Sequence, residues 1–383
     1  MNKSGLCVLF VLGILYFPLI FFGFGSDTDL RLLVDALSRM WETGFYIPNR
    51  NPGYPVYEGF ATIVLGLTQS AIALNFCNLL LMLASVFVFG KIWTKLDLSH
   101  TWGWMLVFGT SPFMAIHGTS SMDYMMAFFL ILMGFWALIS YETGRTFLLF
   151  VTVVSWSLAI GCRFASFFVP LALLGVGLCG RYPKSWPGYR VVGSALFFGF
   201  AWYLLPFWAW EGSFAFLQSQ MSDVWPVWAY PVRWVYKSIY FLGPITSLGI
   251  AWVIFRQRRI FLKAWTDTHS ASYVFRFSVL LIGLFLALYL RYPFEKAYLL
   301  PAWPFLLFVL GYLSQKRLVL PAFLWATQLF YGWGYDIQLM KPDVPNRARH
   351  ASVGVYICPG MVRADISERQ ALMTEPLFAP YLR

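Results

Sequence analysis

Two carboxylates, Asp27 and Asp29, stand two residues apart where the apolar run Leu6–Phe22 gives way to the turn Ser26-Asp27-Thr28-Asp29. All four turn residues are helix N-cap types. Leu30, Leu33, Val34, Leu37, Met40 and Trp41 follow at the i, i+3, i+4, i+7 spacing of a helical stripe. Arg31, Asp35, Ser38, Arg39 and Glu42 fill the opposite face, and Gly44 stands where a left-handed C-terminal residue belongs. The helix dipole keeps a carboxylate at an N-terminus ionised, and an ionised carboxylate near a hydroxyl is a general base. These two lie where the chain leaves an apolar span, within reach of a lipid head group. They could act on a lipid-linked substrate. An amphipathic helix beside a span also lies in the membrane interface with no chemistry at all.

More residues with chemical potential follow. Arg50 precedes Asn51-Pro52-Gly53-Tyr54-Pro55. Asp123 stands in the turn Ser120-Ser121-Met122-Asp123-Tyr124, and Arg163 in the very tight turn Gly161-Cys162-Arg163-Phe164, where pairing with an acid is expected. Arg291, Glu295, Lys296 and Tyr298 precede Leu299-Leu300-Pro301. Each alone is an ordinary residue at the end of a span.

The elements that position them are apolar. The 383 residues are 59% hydrophobic and 12% charged, with 18 Trp, 21 Tyr and 38 Phe. Soluble domains carry about 25% charged residues. The fold class is all-α integral membrane, with about 11 transmembrane helices and an amphipathic helix in the first outer loop. Spans are expected at 5–24, 72–92, 102–118, 124–141, 146–162, 165–180, 191–209, 237–255, 273–290, 297–313 and 318–334. The stretch 54–71 is apolar but interrupted by Gly59 and Gly66, which suits half-insertion. The first apolar stretch is long for a signal peptide and lacks a small-residue cleavage site, so it reads as a retained span. A transmembrane domain over 1–334, with the outer loop 24–58, is followed by a short extracytoplasmic tail, 335–383, too short for its own core. Five scattered cysteines and four dispersed histidines give no disulfide framework, CxxC pair or HExxH motif. No nucleotide-binding glycine loop is present.

Charge orients the frame. With the N-terminus inside, the inner segments carry 14 basic and 3 acidic residues, and the outer segments 14 of each. The net charge of +11 is the positive-inside signature. That removes the reason to propose nucleic acid as a partner. The placement is a multi-pass protein of the plasma (inner) membrane, N-terminus cytoplasmic and C-terminus extracytoplasmic. Fourteen of 17 acids face outward. The orientation rule does not demand this, and outward chemistry explains it better. The Trp-rich segment 210–236 reads as an interfacial aromatic belt, with sugar stacking as the other reading.

Taken in order, these motifs resemble the GT-C superfamily of polytopic glycosyltransferases, in the protein-mannosyltransferase-like branch that includes the lipid A aminoarabinose transferases. The residues that carry the resemblance are Ser26–Asp29, the helix Leu30–Glu42, Asn51–Pro55, Ser120–Tyr124 and Lys296–Phe305. They cover roughly residues 1–310. The first-loop acids read Asp-Thr-Asp rather than Asp-Glu, and the large C-terminal domain of several relatives is absent. The resemblance implies a polyprenyl-phosphate-linked sugar donor, a glycan, lipid or protein acceptor, and inversion at the anomeric carbon. Asp27 is the first choice of base and Asp29 the second. Arg291 and Lys296 would bind phosphate, with Arg163 and Arg50 as further cations. Tyr54, Glu295 and Tyr298 belong to the same motifs. Asp123 would position acceptor or base, or hold a divalent cation (Mg or Mn) with Asp27; the sequence requires no cofactor.

A transporter or flippase is the main alternative, and a non-catalytic subunit of an envelope complex another. A transporter predicts mid-membrane charges and internal repeats. The ionisable residues here lie at span ends. An acyltransferase would call for an outward histidine motif that the sequence lacks.

Overall fold

The structure is a computed structural model. It describes residues 3–26, 29–141, 145–178, 188–213, 230–231, 234, 244–266, 270–292, 296–314, 318–330, 332–337, 351–356, 365–366, 369–370 and 372–381. The chain forms a helical bundle. The helices are α1 (Lys3–Tyr16), α2 (Leu30–Thr43), α3 (Pro55–Thr68), α4 (Ala71–Lys95), α5 (Thr101–Gly109), α6 (Pro112–Gly118), α7 (Tyr124–Ser140), α8 (Thr146–Cys162), α9 (Phe168–Leu178), α10 (Gly188–Ala201), α11 (Leu204–Ala209), α12 (Pro244–Arg256), α13 (Arg258–Thr266), α14 (Ser270–Arg291), α15 (Trp303–Leu313) and α16 (Val319–Phe330). Among the described residues, four apolar segments are long enough to cross a membrane: Lys3–Phe22, Ala71–Lys95, Gly188–Ala209 and Ser272–Arg291. Several shorter apolar helices accompany them.

Two expectations change in detail. The span expected at 102–118 is two helices, α5 and α6, broken at Ser111. Pro112 follows, and Ser111 is extended at φ −54°, ψ 133°, because proline disfavours a helical residue before it. The stretch 54–71, expected to be interrupted by its glycines, is the continuous helix α3. Gly66 serves contact: a Cβ there would meet Cδ2 of Trp41 at 2.2 Å. The indole of α2 lies directly on the α3 backbone. At 14 residues, α3 is about 21 Å long and cannot span alone.

The bundle is organised around α4, α7 and α8. α7 packs along α8 and α4, α8 along α10, and α14 along α9 and α15. Rings lock the interior: Phe89 stacks on Phe108 (4.5 Å) and Phe308 (5.0 Å), and Trp93 on Trp104 (4.8 Å). Close packing of this kind drives helix association in lipid, where burial from water contributes little.

α2 is amphipathic as its spacing predicts. Leu30, Leu33, Val34 and Leu37 are buried, and Gly44 closes it at φ 72° with its N–H on the Met40 carbonyl. Trp41, expected on the same stripe, is half exposed. Among the described residues, the departure from an all-helical chain is a two-stranded antiparallel ribbon, β1 (Gly332–Ile337) and β2 (Ala351–Tyr356), pairing Gly332 with Tyr356 and Ile337 with Ala351. The last expected span therefore ends at Phe330. Beyond the ribbon, the described residues between 365 and 381 lie against the start of the chain.

Candidate active site

Asp29 is the N-cap residue of α2. Its carbonyl accepts the Leu33 amide at 3.0 Å, but its carboxylate does not cap the helix. The carboxylate instead accepts from Arg50 Nη1 at Oδ2. Arg50 Nη2 donates to Asp123 Oδ1 at 3.2 Å. Arg163 Nη1 donates to Asp123 Oδ2 at 2.8 Å. The result is a chain of alternating charge, Asp29–Arg50–Asp123–Arg163. It joins turns that are far apart in sequence and that the charge pattern assigns to the outer side.

The chain of charge runs from solvent inward. Asp29 is 40% exposed and Arg50 16%, whereas Asp123 is 3% and Arg163 9%. A buried charge is tolerated only when paired and hydrogen-bonded, and Asp123 is held by a guanidinium on each oxygen. Arg50 Nε is buried and has no partner among the described residues.

Aromatic faces surround both cations. Cζ of Arg50 lies 4.9 Å from the Tyr54 ring. Cζ of Arg163 lies 4.0 Å from Tyr124, 5.7 Å from Tyr54 and 5.9 Å from Tyr298. Ring faces attract guanidinium groups at these separations.

Glu58, in the first turn of α3, was missed by sequence reading. It looked like the polar end of a loop, and its side chain is wholly buried. It accepts from the Tyr46 hydroxyl, from the Asn49 amide (2.9 Å) and from the Tyr54 amide (2.9 Å). One carboxyl thus ties both ends of the segment that presents Arg50. Burial pushes this carboxyl up to about 7, against the bonds it accepts. The available sequence signal was an acid three residues into an apolar stretch.

Two asparagines on α4 hold the turns. Asn75 Nδ2 donates to the carbonyls of Ile20 (3.0 Å) and Gly23 (2.6 Å), and its Oδ1 accepts from Ser121 Oγ at 2.7 Å. Asn78 Nδ2 donates to the Ser120 carbonyl at 2.6 Å. The Ser121 amide donates to the Phe24 carbonyl at 2.6 Å. The turns that end in Asp29 and Asp123 are therefore bonded to each other and to one rigid helix.

The structure brings together Asp29, Arg50, Tyr54, Asp123, Arg163 and Tyr298. It does not bring Arg291 to them: that residue is exposed at the end of α14, its Cζ 4.8 Å from its neighbour Tyr292. Asp27 and Glu295 lie outside the described residues, as does the side chain of Lys296. Among the described residues no cluster of three His, Cys, Asp or Glu side chains could hold a metal ion. Asp123 does not fit a divalent cation, because both its oxygens face guanidinium groups.

No protein-family model matches the sequence, and no curated protein matches it. Solved structures do. The chain is similar to ArnT from Cupriavidus metallidurans in its apo state, with a TM-score of 0.56 and 12% identity over 82% of this chain. It is similar to the same protein bound to undecaprenyl phosphate, with a TM-score of 0.51 and 14% identity over 82% of this chain. The chain spans 59% and 61% of the length of those two chains. The likeness is one of fold: a polytopic helical membrane bundle similar to that of ArnT, in line with the sequence resemblance.

Proposed function

We propose that this chain is a membrane glycosyltransferase. It moves a sugar from a polyprenyl-phosphate-linked donor to an acceptor hydroxyl at the outer face of the plasma membrane. The observation that carries this reading is the Asp29–Arg50–Asp123–Arg163 chain, set in a fold similar to that of a protein solved with undecaprenyl phosphate.

The chemistry follows from the charges. The acceptor O–H gives its proton to a carboxylate of the Asp27/Asp29 turn as its oxygen attacks the anomeric carbon. The bond from that carbon to the donor phosphate oxygen breaks, and polyprenyl phosphate leaves with the electron pair. A single displacement inverts the anomeric carbon. The leaving phosphate is a stable anion and needs no acid, but it needs fixed positive charge where its own charge develops. Arg50 and Arg163, the two cations of the charge chain, supply it. Lys296, two residues from Tyr298 in sequence, is the further cation that the resemblance assigns to phosphate. Of the two carboxylates in the charge chain, Asp29 is the more exposed and suits the base. Asp123 is sealed and suits the fixing of both arginines. The acceptor is a glycan, a lipid or a protein.

The test is to incubate the purified protein in vesicles with a panel of polyprenyl-phosphate sugars and membrane acceptors. Release of polyprenyl phosphate with an inverted product is expected. No release from any donor overturns the reading and favours transport.

A further inference from the structure

We propose that the C-terminal residues between Asp365 and Tyr381 brace the reaction site from behind, with Asp365 and Arg369 as positioning residues that fix the turn ending in Asp29. This rests on the glycosyltransferase reading for its kinetics, though not for its geometry.

Arg369 is 1% exposed and Asp365 6%, in a stretch whose composition reads as a polar tail. Arg369 spreads over two turns at once. Its Nη1 donates to the Thr119 carbonyl at 2.7 Å and reaches the Leu19 carbonyl at 3.4 Å. Its Nη2 donates to the Ile116 carbonyl at 3.1 Å and to Thr119 Oγ1 at 3.2 Å. Those carbonyls belong to the end of the first span and to the end of α6, just before the turns that lead to Asp29 and Asp123. Only the forked guanidinium can serve several carbonyls in this way.

Asp365 completes the link. Its Oδ2 lies 2.7 Å from Arg369 Nε, and its Oδ1 accepts from Ser26 Oγ at 2.5 Å. Ser26 is the first residue of the acidic turn. Phe24 packs against Phe378 (5.6 Å) and edge-on against Tyr381 (5.7 Å). Gly23, at φ 95°, admits Met373 so closely that a Cβ would lie 2.5 Å from its Cγ. Farther along α2, Arg31 pairs with Glu375 and Ser38 meets the Tyr381 hydroxyl. The segment thus grips the acidic turn on one side and the α2 helix on the other. Among its described residues no contact to Arg50 or Asp123 is made, and its action runs through the turn.

The test uses the full chain in vesicles, as Ser26→Ala, Asp365→Asn and the double variant. Backbone hydrogen exchange is read over 19–30 and 116–123, alongside transfer kinetics. Each single change is expected to speed exchange in those two turns by about tenfold while α7 and α8 keep their protection. kcat should fall with KM little changed, and the double should be no worse than the more damaging single. Unchanged exchange in the turns, loosening spread evenly over the bundle, or additive effects would each overturn the proposal. Arg369→Lys, which keeps the charge without the fork, should loosen both turns, and wild-type protection in it counts against the clamp. If the wild type transfers no sugar, the functional reading fails by itself, and the exchange data still decide the clamp.

Discussion

Arg163 donates to Asp123 at 2.8 Å inside a bundle where the two side chains are 9% and 3% exposed. This pair is the floor of the site. Arg163 is the last residue before a 3-10 turn, extended at φ −151°, and Asp123 opens α7 without capping it. Each is free of local duties and is turned toward the other.

The pair sets an order of stability losses. Removing one partner of a buried ion pair costs about 3–5 kcal/mol. Asp123→Asn strands the buried Arg163 and leaves Arg50 with Asp29 alone, whereas Arg163→Gln leaves Asp123 still held by Arg50 at 3.2 Å. Asp123→Asn should therefore lower the melting temperature in detergent more than Arg163→Gln. The reverse order would show that Arg50 does not share the load.

Arg50 spans two carboxylates with its two terminal nitrogens. A lysine keeps the charge but offers one nitrogen. Arg50→Lys should cut kcat by about 10²- to 10³-fold, the range for losing one preorganised donor to a developing anion. Steady-state rates with a polyprenyl-phosphate sugar check this. A rate within a factor of about 2 would remove Arg50 from the charge-stabilising role.

Glu58 gives a pH dependence with a definite sign. Burial raises its carboxyl from 4.5 to about 7, so the folded chain binds this proton more tightly than the unfolded chain. Its contribution is fully present below about 4.5 and is lost as pH rises through about 7. Relative to Glu58→Gln, which stays neutral, the wild type should lose on the order of 3 kcal/mol across that window. Thermal unfolding of both proteins from pH 4.5 to 8 measures the difference. Parallel curves would mean that Glu58 titrates normally.

Asn75 is the hinge pin of the turns, with two carbonyls and one hydroxyl on its amide. Asn75→Leu keeps the branched shape and orphans those groups, each costing about 1–3 kcal/mol. The expected result is a destabilised protein whose transfer rate falls further than that of a surface variant with an equal loss of melting temperature. Equal falls would make Asn75 structural only.

Much of this architecture was legible in the sequence. The α2 helix follows from the spacing of Leu30 to Leu37, and the apolar frame follows from composition. Asp29, Arg50, Asp123 and Arg163 were visible as polar residues at span ends. Arg163 could be expected to pair because its turn is too tight for water. What was not legible depends on long-range contacts. Glu58 and Arg369 look like ordinary loop and tail residues until α3 and the C-terminal segment bury them. Arg31 stands four residues before Asp35 on the polar face of α2 but pairs with Glu375, from the far end of the chain. Gly66 looked like a helix breaker because the Trp41 indole that needs its bare backbone is 25 residues away in sequence.

The most direct test of the central claim compares wild type, Asp27→Asn and Asp29→Asn at matched expression. Sugar transfer from a polyprenyl-phosphate donor is measured in vesicles. The account predicts that wild type transfers and that one asparagine variant, still folded, falls by about 10²- to 10⁴-fold, the contribution of a general base. Wild-type rates in both variants, or no transfer by wild type from any donor, would contradict it.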